Sequence, residues 1–382
     1  MSCMSVYAIA AIPVFIWLYL LTTRGQFWRI VTQRAPAPAP PPARRVVVLI
    51  PARNEAPLIA TAVTSLTQQV FTGLIHIVVI DDGSSDGTGD VAMQAVRNAG
   101  ALERFTLLRG DPVPSGWTGK LWALSQGVTA AAPLEPDYLL FSDADIQHEP
   151  TSIASLVAHA EADERDLVSR MVKLSAATFA ERLLIPAFVF FFFMLYPPAW
   201  VADPRRKLAA AAGGCLLIRP AALARAGGLA AIRAQIIDDC ALARAIKGSG
   251  GRIALELAAD TRSLRRYRSA AEIGAMISRS AFAQLQHSYL LAAATLAGLF
   301  LTYLLPAGLL FLGAPLLAGL GLAALALMSF AYLPMVRFYG LPALWSLCLP
   351  VIALFYAGAV IHSAFQHARG RGGAWKGRVQ DA

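Results

Sequence analysis

The sequence predicts an α/β domain on a mostly parallel sheet, with membrane-spanning helices before and after it in the chain. Three observations favour this fold class. Apolar runs of strand length alternate with helix-like segments between residues 46 and 145, as in a parallel sheet with helices on its faces. Polar clusters follow three of these runs. Apolar stretches long enough to cross a bilayer flank the region.

The composition also indicates a membrane protein. Of the 382 residues, 57% are hydrophobic and 15% are charged, whereas about 45–50% apolar residues is usual in soluble domains. The four cysteines are scattered, without a C-x-x-C pair or metal-ligand spacing, so neither a disulfide framework nor a zinc site is predicted. The net charge of +9 suits anionic headgroups or phosphorylated substrates. Nucleic acid is the weakest alternative, because no basic run is interleaved with aromatic residues.

Residues 1–23 are predicted to form an N-terminal transmembrane anchor. Their core, VYAIAAIPVFIWLYLL (6–21), has no basic segment before it and no small-residue cleavage site, so a cleaved signal peptide is not expected. Residues 24–45 form a basic, proline-rich linker of extended polyproline character. Because arginines follow the anchor and none precedes it, the next domain is expected in the cytoplasm.

The predicted catalytic domain covers residues 46–288 and begins with clear strand–helix alternation. The predicted strands are VVVLIPA (46–52), LIHIVVIDD (74–82), FTLLRG (105–110) and DYLLFSDAD (137–145). The polar clusters PARNE, DDGSSDGT and SDAD stand at three strand ends. Ligands bind beyond the carboxyl ends of parallel strands, so these clusters predict a binding site.

Asp143 and Asp145 stand one residue apart where the last of these strands ends. Such carboxylates point to the same side and repel each other, so a positive group is expected beside them. Asp145 is the predicted ligand of Mg²⁺ or Mn²⁺, which would neutralise a departing diphosphate. Asp143 would reach a ribose or complete the site. His148 could be a weak third metal ligand, but we expect a surface residue. For the segment with Asp143 and Asp145, the alternative to a binding site is a solvated acidic turn.

Two further segments carry candidate donor-binding residues. In IDDGSSDGT (80–88), Asp82 could accept hydrogen bonds from a base or a ribose, although a plain turn with capping residues would look similar. In WTGKLWALSQG (117–127), Gly119 would bring backbone close to a ligand and Lys120 would neutralise phosphate. The alternative for Lys120 is a solvated side chain near a helix start.

A later acidic pair, Asp238 and Asp239, is the candidate general base for an acceptor hydroxyl. The pair precedes a helix predicted over residues 240–247, so favourable helix capping is the alternative. Upstream, the paired glycines Gly213 and Gly214 would let the backbone approach an acceptor.

Residues 289–366 are predicted to form C-terminal membrane helices, followed by a basic tail at 367–382. The apolar stretches are 289–313, 314–336 and 343–361. Three crossings from the cytoplasm would leave the tail outside, against the positive-inside rule, so one stretch is expected to be re-entrant or interfacial. Another apolar run, 183–201, is interpreted as an interfacial helix, with a buried helix of the catalytic domain as the alternative.

The motifs resemble those of family 2 glycosyltransferases in order and spacing, over roughly residues 46–250. The resemblance is carried by PARNE, VVIDDGSSDGT, the K-x-x-A-L-x-x-G of residues 120–127, SDAD, GGCLLIRP and DDCAL. The chain looks closest to the bacterial hopene-associated glycosyltransferases. WTGKLWALSQG, ERLLIPAFVFFFFMLYPPAWVADPRRK and AAAAGGCLLIRP…DDCALA carry that likeness, which extends into the membrane tail.

This resemblance implies a GT-A fold, which is Rossmann-related, a nucleotide-sugar donor and inversion at the anomeric carbon. It assigns Arg53 and Glu55 of PARNE to the nucleotide together with Asp82, and Pro51 of the same motif counts as a donor contact. Asp145 would hold the metal.

In the family pattern, Asp239 would be the base, and Asp238 replaces the glutamate that usually precedes it, which leaves the role of Asp238 open. Processive members carry Q-x-x-R-W after the base. RRYRS (265–269) and RSAFAQ (279–284) supply arginines but not that motif, which argues against polymer synthesis. Arg279 is either a diphosphate contact or a solvated helix residue.

We therefore expect a multi-pass enzyme of the bacterial cytoplasmic membrane that transfers a sugar, with UDP as the default carrier, to a membrane lipid. The membrane segments and the aromatic run at 188–196 favour a lipid acceptor, and the resemblance implies a hopanoid or its precursor. Polyprenyl phosphate, ceramide and diacylglycerol are alternative acceptors. An inert membrane scaffold is disfavoured by the joint presence of Asp82, Asp145 and Asp239, and a transporter does not explain the acidic strand ends.

Overall fold

The protein is described by a computed structural model over residues 3–30, 32 and 43–369. Most of the proline-rich part of the predicted linker, and the basic tail beyond residue 369, lie outside the described residues. The chain forms two compact units, each assembled from separate stretches of sequence. We call residues 32, 43–175 and 200–265 the α/β unit, and residues 3–30, 176–199 and 266–369 the helical unit.

This division differs from the single catalytic domain predicted over residues 46–288. Residues 176–199 and 266–288 belong to the helical unit instead. The reason is their packing partners, since the helices in these segments contact each other and the apolar C-terminal helices. Tyr196 and Gln284, for example, are joined by a hydrogen bond of 2.5 Å.

The α/β unit is built on one mixed sheet, and among the described residues it has eight strands. The strands are β1 (Arg45–Ala52), β2 (Leu74–Asp81), β3 (Phe105–Arg109), β4 (Tyr138–Ser142), β5 (Ile146–His148), β6 (Leu167–Lys173), β7 (Cys215–Ile218) and β8 (Ile253–Ser263). Their order in the sheet is β3-β2-β1-β4-β7-β6-β8-β5. The first four strands in this order are parallel, β6 and β8 are also parallel, and β7 and β5 run antiparallel to their neighbours.

The four predicted strands are confirmed, and so is the mostly parallel α/β class. β1 is buried along seven of its eight residues, which explains its continuous apolar sequence. The register pairs Ala52 with Asp81 across β1 and β2. The polar segments after these strands therefore leave the sheet at the same edge.

Helices cover the sheet and position the polar loops. In the α/β unit they are α2 (Ala56–Thr67), α3 (Thr88–Asn98), α4 (Gly119–Ala131), α5 (Ser152–Ala162), α8 (Pro220–Arg225) and α9 (Asp238–Gly248). An apolar core lies under α2, α3 and α5 and includes Val48, Ile50, Val63 and Leu156.

Most of the remaining α-helices belong to the helical unit. They are α1 (Cys3–Thr23), α6 (Phe179–Leu195), α10 (Ala270–Gln284), α11 (Tyr289–Leu299), α12 (Leu305–Leu309), α13 (Pro315–Phe338) and α14 (Leu349–Ala368), while α7 (Pro198–Ala202) is a short helix at the passage between the units. Within the described residues, four helices are long and apolar enough to cross a membrane. They cover Ser5–Thr23, Tyr289–Leu309, Pro315–Phe338 and Ala343–Ala368.

Large apolar side chains cover the outside of these helices. Phe15, Leu290 and Phe311 are 68%, 81% and 85% exposed, and extended apolar surface of this kind is typical of a face that contacts lipid or another protein. Which of the C-terminal stretches is re-entrant stays a prediction.

Helix α6 is largely buried, and it lies in the helical unit. The alternative considered above was a helix buried in the catalytic domain. It packs against α10, α13 and α14 in the helical unit, where Phe190 and Phe191 make edge-to-face contacts with Tyr332 and Tyr356, respectively. Its assignment to the catalytic domain stays a prediction. Its interfacial position in a membrane stays a prediction.

A buried ion-pair network holds the second half of the sheet together. Arg170 on β6 is fully buried, and its Nε donates to Glu256 Oε1 at 2.6 Å while its Nη1 donates to Asp260 Oδ2 at 3.1 Å. Both acids lie on β8. The guanidinium also donates to the carbonyl of Ser152 and the hydroxyl of Ser155 on α5, so one side chain joins two strands and a helix.

Replacing Arg170 is expected to be strongly destabilising. In Arg170→Met two buried carboxylates would lose their counter-ion, which costs about 3–5 kcal/mol of unfolding free energy. Urea unfolding of the detergent-solubilised protein, followed by tryptophan fluorescence, measures this. Arg252→Gln, at an exposed ion pair with Glu164, is the control and should change stability by less than about 0.5 kcal/mol. Equal effects of the two substitutions would contradict the assignment.

Candidate functional site

Hydrogen bonds between the loops after β1 and β2 shape the first part of the site. The backbone N–H of Asn54 donates to Ser84 Oγ at 3.0 Å, and the backbone N–H of Ser85 donates to Asn54 Oδ1 at 2.9 Å. Asp86 accepts from the Ala56 N–H at 3.0 Å. Asn54 itself adopts a left-handed conformation, with φ of 51°, which asparagine tolerates better than most residues. PARNE and DDGSSDGT thus form one structure.

Arg53 and Asp82 form the predicted nucleotide end of this structure. Asp82 is 4% exposed, and Arg53 Nη1 lies 2.6 Å from the Asp82 carbonyl oxygen and 3.5 Å from its Oδ2. The Nε atom of Arg53 is buried and finds no hydrogen-bond partner among the described residues. A buried donor without a partner is rare in folded proteins, and a ligand oxygen would satisfy it.

Lys120 brings together the carboxylates that the sequence predicts for the donor and for the acceptor. Its Nζ lies 2.8 Å from Asp143 Oδ1 and 3.6 Å from Asp238 Oδ2. A Cβ placed on Gly213 would stand 3.3 Å from both Lys120 Nζ and Asp239 Oδ2, so these two atoms are neighbours as well. Burial lowers the pKa of Lys120, but Asp143 and then Asp238 raise it above its usual value. The lysine is therefore a charged, fixed counter-ion, and its interpretation as a solvated side chain is wrong.

A small cavity in the α/β unit follows from this arrangement. Its lining includes both charged and apolar side chains. The lining residues are Pro51, Lys120, Leu121, Leu124, Phe141, Ser142, Asp143, Gly213, Leu216, Leu229, Ile232, Asp238, Asp239 and Leu242. The cavity thus joins the ends of β1 and β4 to the start of α9.

Asp239 has the environment of a general base. Burial and then repulsion from Asp238 raise its pKa to about 6, against the lowering effect of Lys120. Its Oδ1 accepts from the Cys240 N–H at 2.7 Å. A carboxylate whose pKa lies close to neutral can take up a proton during a reaction more readily than an ordinary one.

The start of α9 differs from the prediction. The helix begins at Asp238, two residues before the predicted start, and Ile237 is its N-cap residue. Neither aspartate therefore acts as the N-cap, so the capping interpretation of the pair is wrong. Both acids remain in the first turn, where the helix dipole favours negative charge.

The cation beside Asp145 is Arg265, whereas the cation beside Asp143 is Lys120. Arg265, five residues before the start of α10, donates from Nε to Asp145 Oδ2 at 3.0 Å and from Nη2 to Glu55 Oε1 at 2.7 Å. Ser263 Oγ donates to the same Asp145 Oδ2 at 3.1 Å. Burial and then Asp143 raise the pKa of Asp145, whereas Arg265 lowers it. The positive groups expected beside Asp143 and Asp145 are thus Lys120 and Arg265.

The donor set around Asp145 fits Mg²⁺ or Mn²⁺, the ions predicted for it. Carboxylate oxygens of Asp145, with Asp143 and Glu55 nearby, are the hard ligands these ions prefer. Within the described part of the chain, no three acidic, histidine or cysteine side chains are arranged as a preformed metal cage. Mg²⁺ is usually held by one or two carboxylates together with substrate phosphates, so such a cage is not required.

His148 is neither the weak metal ligand nor the surface residue considered in the sequence analysis. It is 3% exposed, so the expected surface position is wrong. Its Nε2 lies 3.0 Å from Ser142 Oγ and its Nδ1 lies 3.2 Å from Ser152 Oγ, so both ring nitrogens are engaged by hydroxyls. Burial and then the charge of Arg170 lower its pKa to about 3. The neutral ring supports the turn that carries Asp143 and Asp145.

The two glycines predicted at the acceptor site have different surroundings. Gly213 faces Lys120 and Asp239 across the cavity, and an added Cβ would crowd both. A Cβ on Gly214 would instead meet Val172 and Ile146 at 3.3–3.4 Å, and its carbonyl accepts from the Asp143 N–H at 3.3 Å. Contact of either glycine with an acceptor stays a prediction, as does the role of Arg279, which lies on α10 in the helical unit.

Arg265 is the main site residue that sequence reasoning missed. It belongs to RRYRS, which was compared only with the Q-x-x-R-W motif. Arg265 lies beside Asp145 because of a long-range strand pairing, in which Ile146 on β5 pairs with Ser263 on β8. Asp86 was also missed, although an aspartate two residues before Thr88 in a turn is a common capping pattern.

Comparison with known proteins places the fold. Residues 47–223 match the model of the family described as glycosyl transferase family 2. The mannosyltransferase PcManGT from Pyrobaculum calidifontis, solved in complex with GDP-Man and Mn²⁺, has a similar structure with a TM-score of 0.60 and 19% identity. The alignment covers 94% of this chain and 99% of that one. The α/β unit therefore has the predicted GT-A-like fold.

Two curated proteins match shorter segments. An uncharacterized protein of Methanocaldococcus jannaschii is 31% identical over 113 residues, which are 29% of this chain and 40% of that protein. The 4,4'-diaponeurosporenoate glycosyltransferase of Staphylococcus haemolyticus is 31% identical over 126 residues, 32% of this chain and 31% of that protein. The chain thus spans less than half the length of either relative.

The raised pKa of Asp239 predicts a pH-dependent stability effect. An unfolded aspartate has a pKa of about 3.9, so the stability that the protonated folded form contributes is present at low pH and is lost as the pH rises through about 6. Asp239→Asn removes this loss. Its melting temperature should exceed that of the unsubstituted protein by a few degrees at about pH 7.5, and by less at about pH 5.

Differential scanning fluorimetry at both pH values makes the comparison, with Asp111→Asn as the exposed control, for which no pH-dependent difference is expected. An equal shift for Asp239→Asn at both pH values would show that its carboxylate has an ordinary pKa.

Proposed function

We propose that the protein is an inverting glycosyltransferase that moves a sugar from a nucleotide-sugar donor to a membrane lipid. The observation that carries this proposal is the position of Lys120 between Asp143 on the donor side and the Asp238–Asp239 pair on the acceptor side. A single cavity thereby contains a donor-binding edge and a candidate base, which are the two parts that a displacement reaction needs.

The donor would bind across the ends of β1, β2 and β4. Arg53 and Asp82 would contact the base and ribose, and the buried Nε of Arg53 offers a donor to a ligand oxygen. Asp143 and Lys120 lie next to the cavity, where they would orient the sugar and the diphosphate. A divalent ion held by Asp145 would neutralise charge on the departing nucleoside diphosphate. UDP is the first nucleotide to test, and the GDP-Man complex of PcManGT makes GDP the second.

The acceptor would be activated by Asp239. Its carboxylate takes the proton of the acceptor hydroxyl as the oxygen forms a bond to the anomeric carbon. The bond to the diphosphate oxygen breaks on the opposite face, so the electron pair leaves with the nucleotide and the configuration inverts. One base is enough for this displacement, whereas retention by double displacement would also need a nucleophile such as a carboxylate. Lys120 would keep Asp239 and Asp238 correctly placed before the reaction.

The lipid acceptor is supported by the amount of membrane-type structure in the chain. Four helices suited to a bilayer would anchor the enzyme in the bacterial cytoplasmic membrane, with the α/β unit in the cytoplasm by the positive-inside rule. The likeness of WTGKLWALSQG and the α6 segment to hopene-associated enzymes makes a hopanoid or its precursor the proposed acceptor.

Donor binding should depend on metal and on Asp145. Isothermal titration of the detergent-solubilised full chain with UDP and GDP should show tighter binding when Mn²⁺ is present, because Asp145 would hold the ion and the ion would neutralise charge on the diphosphate. In Asp145→Asn, the increase in nucleotide affinity caused by Mn²⁺ should be at least about tenfold smaller. In Asp90→Asn, a substitution at an exposed position on α3, this increase should be unchanged. A folded protein that binds no nucleoside diphosphate under either condition would overturn the proposed function.

Activity should fall as the pH drops through about 6, because Asp239 must be unprotonated to act as the base. Asp239→Asn should reduce kcat on the order of 10²–10⁴-fold. Lys120→Met should move the acidic limb of the pH–rate profile to higher pH, since it removes the charge that lowers the pKa of Asp239.

The assay follows radiolabelled sugar into a hopanoid-containing lipid extract, with polyprenyl phosphate, ceramide and diacylglycerol offered in parallel. A pH–rate profile that is the same in Lys120→Met and the unsubstituted enzyme would contradict the role of Lys120.

A further inference from the structure

We propose that Arg265 is a resident counter-ion that occupies the cation position at Asp145, and that a nucleoside diphosphate releases it so that the metal and the nucleotide bind together. This inference rests on the proposed function for the identity of the ligand. It adds three things that the donor site by itself does not require. These are a role for Arg265, the joint binding of metal and nucleotide, and an increase in metal affinity when Arg265 is replaced.

The geometry shows a cation held by two acids. The guanidinium of Arg265 bridges Glu55 Oε1 at 2.7 Å and Asp145 Oδ2 at 3.0 Å. The two carboxylates are only 11% and 12% exposed, whereas Arg265 is 38% exposed. The acids are therefore fixed in the protein, and the arginine approaches them from the solvent side.

The backbone near Arg265 is anchored independently of its side chain. The Leu264 N–H donates to the Asp145 carbonyl at 2.7 Å, and the Arg265 N–H donates to Ser263 Oγ at 3.2 Å. Ser263 also pairs with Ile146 across β8 and β5. The long side chain can thus change partners while its Cα stays beside the site.

Charge explains the bridge between Arg265 and the two acids. Asp143 and Glu55 both lie close enough to Asp145 to repel its carboxylate, and buried carboxylates need a counter-ion. A divalent ion binding at Asp145 would have to displace the guanidinium from Oδ2, or share the acid with it at short range. Both are unfavourable, so the metal alone should bind weakly.

A diphosphate changes this balance because it offers Arg265 a better partner. Guanidinium groups bind phosphate oxygens through two parallel hydrogen bonds. When Arg265 turns to the diphosphate, Asp145 would be available to hold a divalent ion, whose charge would also stabilise the diphosphate. Metal and nucleotide should therefore strengthen each other's binding by the same factor, as linkage requires.

The test measures Mn²⁺ binding without nucleotide, by the electron paramagnetic resonance signal of free Mn²⁺, on the detergent-solubilised full chain. Arg265→Gln should bind Mn²⁺ at least about tenfold more tightly than the unsubstituted protein, a ratio that corresponds to about 1.4 kcal/mol. The matched control is Arg262→Gln, an exposed arginine on β8 that contacts Gln147, and it should leave Mn²⁺ affinity unchanged. Removing an arginine from a nucleotide site would thus improve metal binding.

The second measurement needs no variant. Saturating UDP or GDP should raise the Mn²⁺ affinity of the unsubstituted protein, and this gain should shrink in Arg265→Gln. The inference is overturned if Arg265→Gln, folded by its melting curve, binds Mn²⁺ no more tightly than the unsubstituted protein. Should Arg265→Gln fail to fold, a bound nucleotide that leaves Mn²⁺ affinity unchanged in the unsubstituted protein overturns it.

These outcomes also separate the inference from the proposed function. If nucleotides bind with Mn²⁺ but Arg265→Gln shows no gain, the counter-ion role fails and the donor site stands. If no nucleotide binds while Arg265→Gln still gains Mn²⁺ affinity, the counter-ion role is supported. Release by a diphosphate, and the proposed function with it, is then overturned.

Discussion

The burial of like charges at one edge of the sheet is the constraint on which the site depends. Five carboxylates, those of Glu55, Asp143, Asp145, Asp238 and Asp239, gather where β1 and β4 end and α9 begins. Such a group is stable only if cations stand among them. Lys120 serves Asp143 and the pair at the start of α9, and Arg265 serves Glu55 and Asp145. Each cation joins segments that are far apart in sequence, so charge balance and chain topology depend on each other.

Much of the α/β unit could be predicted because its signals are local. β1 and β2 appear as uninterrupted apolar runs since both faces of each strand are covered, and the acidic clusters after them reveal the edge at which they end. The same logic identified Lys120, whose position at the start of α4 follows from Thr118 as the N-cap. Local signals were also sufficient for the helices of spanning length.

The errors concern contacts that no local pattern records. His148 follows an acidic turn and looks exposed, but β5 carries it into the sheet, where two serines surround it. Arg265 reaches Asp145 only because β8 pairs with β5. The family match ends at residue 223, before Asp238, Asp239 and Arg265, so these three residues are placed by the geometry of this chain.

The sheet order also determines when the site can exist during synthesis. β7 lies between β4 and β6 in the sheet, yet it leaves the ribosome after α6, a helix of the other unit. The centre of the sheet therefore stays open, with the edges of β4 and β6 unpaired, until α6 has emerged. Unpaired strand edges invite association with other chains, and domains otherwise tend to fold in the order in which they are made. In this chain α6 is made before the strand that completes the sheet, so the α/β unit cannot close until part of the helical unit has been synthesised.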